Sequence, residues 1–180
     1  MNQRHLKRKD KLEKQCAVLA EVVVAIRPVY TTASPEQKAL IETMIGAAIW
    51  YIPKPPDAWT GYVSLGALKT FHPDSGNENP KFSEEHVYPR KVAARMLLED
   101  DTLNGETMAS VFREKYGRVH YITSDENKAV QPHQRADVFL TPENAYKKVG
   151  IQLTKVAPED LRLIRKRDRS TIDRIIKGVC

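Results

Sequence analysis

The five histidines are the first residues to consider for chemistry in this chain, since no serine lies in a G-x-S-x-G turn and no glycine-rich phosphate loop is present. His86 differs from the others in its neighbours, because Glu85 precedes it and Pro89 and Arg90 follow after two bulky residues. An imidazole with an ordinary pKa of about 6.5 is mostly unprotonated at neutral pH and can accept a proton from water. We therefore expect His86 to be a general base.

The segment Glu85-His86-Val87-Tyr88-Pro89 resembles the first half of an HNH-type nuclease site. Downstream, Tyr121-Ile122-Thr123-Ser124-Asp125-Glu126-Asn127-Lys128 resembles the closing strand and helix of the same ββα-metal unit, with Asn127 at the position of the last metal-proximal residue. The resemblance covers roughly residues 82 to 130, and an insertion-like helical stretch separates its two halves. The middle asparagine of the family has no clear counterpart, although Asn104 lies in the right interval.

This resemblance implies a metal-dependent endonuclease that hydrolyses phosphodiester bonds. Such a reaction needs a base for water, a cation at the leaving oxygen and a donor that holds the phosphate. Glu85 and Asn127 offer oxygen ligands suited to Mg²⁺ or Mn²⁺, and Arg90 is the candidate phosphate clamp. Consecutive strand residues point to opposite faces, so Glu85 and His86 can serve one site only where the strand bends or bulges.

The positive charge of the chain is concentrated at its two ends. Residues 1–14 hold six Lys or Arg against two acids, and residues 155–180 hold eight against four, so that each end is +4 while the whole chain is +6. Basic ends around a mildly acidic middle fit a protein that binds a polyanion, because each neutralised phosphate releases counterions. The candidate nucleic-acid-binding residues are Arg162, Arg165, Lys166 and Arg169.

The first 55 residues are expected to form a helical hairpin. Apolar residues recur at helical spacing from Leu12 to Ile26, in a first helix that Pro28 should end. A second helix should begin with a capping box at Ser34-Pro35-Glu36-Gln37. These N-terminal helices are also the candidate interface of a homodimer.

Residues 56–157 are expected to form the HNH-like core. Its clearest strand runs from Arg118 to Ile122. A helix should begin directly after it, with a capping box formed by Thr123 and Glu126. Residues 158–180 should form a basic helical tail, on which Arg162, Arg165 and Arg169 share one face. The predicted fold class is thus α+β, mainly helical, with an N-terminal helical hairpin, a small ββα-metal-like core and a basic C-terminal helix.

Composition restricts the alternatives. Two cysteines without a CxxC pair argue against a disulfide framework and a zinc knuckle, and Cys16 lies on an apolar helical face. The longest apolar stretch is about half the roughly 20 residues of a membrane span, so no membrane partner is expected and the cytoplasm is the default compartment. Two alternatives to the nuclease remain open: a nucleic-acid-binding or regulatory protein without catalysis, and a structural or assembly protein. DNA is favoured over RNA as the nucleic acid.

Overall fold

The computed structural model describes residues 3–135 and 139–179, with side chains from residue 9 onward. The helices are α1 (Gln3–Thr32), α2 (Pro35–Tyr51), α3 (Leu65–Phe71), α4 (Arg90–Glu99), α5 (Gly105–Val111), α6 (Ser124–Val130), α7 (Pro142–Lys148), α8 (Pro158–Arg165) and α9 (Arg169–Lys177). The strands are β1 (Trp59–Ser64), β2 (Ser83–His86), β3 (Val119–Ile122) and β4 (Leu153–Lys155). The predicted mainly helical α+β fold is confirmed. Within the described ranges, no helix combines the length and apolar character that crossing a bilayer requires.

The N-terminal helical hairpin is present, but α1 does not end where the sequence predicted. It continues through Pro28 for a further turn. Proline removes only its own N–H from the ladder, and Pro28 is exposed, so water can hydrate the carbonyl left without that bond. The predicted capping box of α2 is confirmed, since Gln37 N–H donates to the Ser34 hydroxyl and the Gln37 side chain accepts the Ser34 N–H.

The four strands form one sheet in the order β2-β3-β1-β4. β1 pairs with β3 in parallel, with Val63 opposite Tyr121, and with β4 in antiparallel, with Val63 opposite Thr154. A buried cluster beneath this sheet includes Val63, Leu68, Phe71, Ile164 and Ile172. The helices α3, α8 and α9 supply most of it, so the C-terminal helices are part of the sheet's own hydrophobic core.

The described chain divides into two compact units. The first holds 3–58, 86–118 and Arg135, and the second holds 59–85, 119–134 and 139–179. The division expected from the sequence was 1–55, 56–157 and 158–180, whereas here the C-terminal helices group with the sheet and the segment 86–118 groups with the hairpin. Buried residues of the first unit include Leu12, Cys16, Val23, Ile45, Ile49 and Leu97.

The C-terminal segment is helical, as predicted, but it consists of two helices. Arg167 has a left-handed backbone with φ of 61°, which ends α8. Asp168 then caps α9, because its carboxylate accepts the Thr171 N–H over 2.8 Å. Aspartate is more favourable at this capping position than in a helix interior. The cap at Asp168 and the left-handed turn at Arg167 therefore separate α8 from α9.

Candidate functional site

The segment in which the sequence predicted a nuclease motif forms two strands and a helix, with further helices between the strands. β2 and β3 are neighbours, and α6 begins two residues after β3 ends. The N–H of Val87 donates to the Arg118 carbonyl over 3.1 Å, so the end of β2 lies beside the start of β3. Thr123 and Glu126 form the predicted capping box of α6. The helices α4 and α5 are inserted between the two strands.

The carboxyl group of Glu85 is buried in the second unit, where the residue is 6% exposed. The side-chain amide of Gln134 donates a hydrogen bond to it. Burial raises the pKa of Glu85 to about 7, against the lowering effect of the Gln134 hydrogen bond. Nearby, burial and the charge of Glu85 raise the pKa of the Tyr146 hydroxyl, which has no hydrogen-bond partner among the described residues. Glu85 is therefore a carboxyl group that exchanges its proton near neutral pH.

Asn127 joins α6 to the beginning of β2. Its Nδ2 donates to the Ser83 hydroxyl over 2.9 Å, and its Oδ1 accepts from Gln131 Nε2 over 3.4 Å. Asn127 and Glu85 thus offer oxygens of the kind that Mg²⁺ or Mn²⁺ prefers, but each is hydrogen-bonded to a different partner. Across 9–135 and 139–179, where side chains are described, no three His, Cys, Asp or Glu side chains are grouped so that they could hold a metal ion.

His86 and Arg90 both contact Trp50 within the first unit. The His86 and Trp50 ring centroids lie 5.6 Å apart at 54°, and the Arg90 guanidinium carbon lies 4.0 Å from the Trp50 centroid. Arg90 is exposed, and its guanidinium makes a cation–π contact with Trp50. Glu85 and His86 leave β2 on opposite faces because side chains alternate along a strand.

The shared arginine face predicted for the tail does not form, because Arg169 belongs to α9 while Arg162 and Arg165 belong to α8. Arg169 instead pairs with Asp74 through both terminal guanidinium nitrogens. This pairing holds the pKa of the Asp74 carboxyl below its usual range. Arg162 and Lys166 are exposed, and neither forms an ion pair with any residue whose side chain is described.

Four aromatic rings of the second unit stack in series. Phe71 lies on Phe82 with centroids 4.2 Å apart, Phe82 on Tyr121 at 4.9 Å, and Tyr121 on Trp59 at 5.5 Å. The planes of each pair lie within 19° of parallel. These rings come from α3, the approach to β2, and the strands β3 and β1, so the stack connects these four parts of the second unit.

Arg165 lies beside this ring stack. Its guanidinium carbon is 6.0 Å from the Phe82 centroid and 5.8 Å from the Tyr121 centroid, and its Nη2 is 3.5 Å from the Tyr121 hydroxyl. A pocket of about 410 Å³ opens here. We call it the aromatic pocket, and its lining residues are Phe71, Pro80, Lys81, Phe82, Glu84, Tyr121 and Arg165. It joins two cations, one carboxylate and three aromatic rings.

Sequence reasoning missed the aromatic pocket. Phe82 and Tyr121 both lie within the range 82 to 130 in which the sequence predicted a nuclease motif. Functions were predicted for the polar residues of this range and none for these two rings. The available signal was alternation along β3, since His120 and Tyr121 must leave the strand on opposite faces. That signal separates the two faces but does not reveal which distant rings meet Tyr121.

Comparison with protein-family models, with curated proteins and with solved structures finds no match to this chain. The functional argument therefore depends on the geometry and chemistry of the residues described above.

Proposed function

We propose that this protein binds nucleic acid at the aromatic pocket of its second unit. The observation that carries the proposal is Arg165, whose guanidinium lies beside Phe82 and Tyr121 at the pocket while Lys81 supplies a second cation. Cations beside aromatic rings suit a polymer of phosphates and planar bases. The exposed Arg162 and Lys166 on the same C-terminal segment extend the positive charge along the surface.

The pocket suits an unpaired stretch of nucleic acid, and we propose DNA rather than RNA as the partner. A concave pocket of about 410 Å³ can admit a nucleotide only when its base has left a duplex. The phosphates would lie against Lys81 and Arg165, since counterion release drives such contacts. The Glu84 carboxylate accepts hydrogen bonds and so suits the exocyclic amino group of a base.

The cytoplasm is the compartment that we propose along with this function.

Fluorescence anisotropy with a labelled 12-nucleotide DNA strand, its duplex and the equivalent RNA tests this proposal. We expect the single strand to bind at least about tenfold more tightly than the duplex at equal salt, and the RNA strand tests whether the proposed preference for DNA holds. Phe82→Leu should weaken the binding because it removes the ring, whereas Phe82→Tyr keeps the ring and serves as the matched control. Absence of binding to every probe, or equal binding by the Leu variant, would overturn the proposal.

A metal-dependent endonuclease is the second candidate function. The observation that favours it is the adjacency of β2 and β3 followed directly by α6, with Asn127 bonded to Ser83. The sequence-based roles are His86 as the general base, Arg90 as the phosphate ligand, and Glu85 and Asn127 as ligands of Mg²⁺ or Mn²⁺. One site can use both Glu85 and His86 only if β2 bends or bulges between them. The bound cation would stabilise charge at the leaving oxygen. Incubation of plasmid, linear DNA and RNA with Mg²⁺, Mn²⁺ or EDTA separates this candidate from binding alone.

A further inference from the structure

The N-terminal hairpin exposes a row of apolar side chains along α1. Val18 and Val29 are 60% and 59% exposed, and Val22 lies between them, also exposed. Their spacings of four and seven residues place them on one side of the helix. Cys16 and Val23, on the other side, are fully buried. This helix is therefore apolar on a side that the chain itself does not cover.

A matching row runs along α2. Leu40 and Tyr51 are 61% and 77% exposed, and Met44 lies between them, also exposed. Ile45 and Ile49 face the core instead. Met and Tyr are among the residue types enriched at protein interfaces, so this row has the composition of a contact surface rather than of a solvated helix.

The two rows form one continuous surface. Ile26 follows Val22 by four residues and Ala48 follows Met44 by four, so each lies next to its own row. Both Ile26 and Ala48 are only partly exposed and pack against the core of the first unit, and α1 packs against α2. The rows therefore flank the line where the helices meet. We call this surface the outer apolar face; its members are Val18, Val22, Val29, Leu40, Met44 and Tyr51.

Charged side chains near the outer apolar face are directed elsewhere. Arg27 donates to the carbonyl oxygens of Leu98 and Asp100 at the end of α4. Glu42 is buried, and Lys38 lies over the ring of Tyr30. Covering this face would therefore not leave these three charged side chains desolvated without a partner, a cost that opposes the burial of a helical surface.

We propose that a second copy of this chain covers the outer apolar face, so that the two hairpins form a four-helix arrangement about a two-fold axis. The charges at the two ends of the hairpin favour this occupant. Lys11 is exposed at the open end, seven residues before Val18 on the same side of α1, whereas Lys14 pairs with Asp10. Glu36 is exposed four residues before Leu40, at the end where α1 turns into α2. A two-fold axis across the helices brings the open end of one copy to the turn of the other, so opposite charges meet.

Sedimentation velocity of the full chain from about 1 to 100 µM tests this proposal. We expect a dimer, and we expect Val22→Glu with Met44→Glu to raise its dissociation constant by about a hundredfold or more, because each carboxylate would be buried without a partner. Leu140→Glu, at an exposed leucine outside the face, is the matched control and should leave the dimer intact. Circular dichroism verifies that each variant is folded.

A charge exchange tests the orientation of the two copies. Glu36→Lys alone should weaken the dimer through repulsion from Lys11 of the other copy, and Lys11→Glu in the same chain should restore it. A monomer at 100 µM, or a dimer that survives the double glutamate variant, would overturn the proposal. A dimer lost with Val22→Glu and Met44→Glu but indifferent to the exchange would reject the antiparallel arrangement.

Discussion

The side-chain amide of Asn127 donates to the hydroxyl of Ser83 over 2.9 Å, and this hydrogen bond joins the helix after β3 to the first residue of β2. The two residues lie 44 positions apart, on either side of the inserted helices α4 and α5. The helix α6 and the strand β2 are thus in direct contact. Asn127 acts here as a link between elements, with its carbonyl oxygen turned toward Gln131.

Ser83→Ala should lower the free energy of unfolding by about 1 kcal/mol. The partly buried Asn127 amide would lose its acceptor, and one hydrogen bond of this kind contributes about that much. Urea unfolding at pH 7 measures the change. Ser124→Ala, at an exposed serine one residue after the cap of α6, is the control. Equal losses in the two variants would show that the Ser83–Asn127 bond contributes nothing specific.

Glu85→Gln should stabilise the protein at pH 8 and have little effect at pH 5. The folded state holds the Glu85 proton up to about pH 7, whereas the unfolded chain releases it near pH 4.5, so stability falls as pH rises between these values. The full difference is about 3 kcal/mol at most. Urea midpoints at both pH values measure it, with Glu84→Gln as the exposed neighbouring control. A gain that is the same at pH 5 and pH 8 would contradict this account of Glu85.

His86→Ala should lower any Mg²⁺- or Mn²⁺-dependent cleavage by roughly 10² to 10⁴-fold while leaving DNA affinity nearly unchanged. The reason is that a general base acts on water and need not hold the strand. Single-turnover cleavage and anisotropy measure the two quantities separately, and His133→Ala is the control. Equal cleavage by His86→Ala and wild type would exclude the proposed base. No cleavage of any substrate would exclude the nuclease candidate and leave the binding proposal in place.

Arg95→Met should destabilise the first unit by about 2 to 3 kcal/mol. Arg95 Nε lies 2.8 Å from the buried carboxylate of Glu42, which also accepts a hydrogen bond from Tyr30 over 2.9 Å. Removing Arg95 leaves the charge of the buried Glu42 uncompensated. The partial exposure of Arg95 reduces the resulting loss of stability. Unfolding followed by tryptophan fluorescence detects it. Lys91→Met on the same helix should change stability much less.

Local sequence signals predicted the helix starts well. The capping boxes at Ser34 and Thr123 each depend on residues within one turn, so their side chains and backbone groups meet whatever the rest of the chain does. The position of β3 directly before α6 was predicted from the same local pattern. Pro28 misled the prediction of the end of α1, because a proline at an exposed helical position can be accommodated.

Long-range contacts explain what the sequence could not predict. Arg169 lies 95 residues from Asp74, and Gln134 lies 49 residues from Glu85, so neither partner could be read from local spacing. The ring stack likewise draws Phe71, Phe82, Tyr121 and Trp59 from separate elements. Composition alone located positive charge in the tail, but only the fold separates Arg169, which pairs with Asp74, from Arg162, which forms no ion pair with a described side chain.

The most direct test of the proposed nucleic-acid-binding surface is the salt dependence of DNA binding, measured for one triple variant of α8 and its neighbour Lys166 and for one single variant at Arg169. Arg165→Gln combined with Arg162→Gln and Lys166→Gln should weaken binding to the 12-nucleotide strand and flatten the plot of log affinity against log salt, by about 0.7 for each lost phosphate contact. Arg169→Gln should change the slope little, because Asp74 already neutralises that side chain. A triple variant with wild-type affinity and slope, or an Arg169→Gln variant that loses as much, would contradict the assignment of the aromatic pocket and α8 as the nucleic-acid-binding surface.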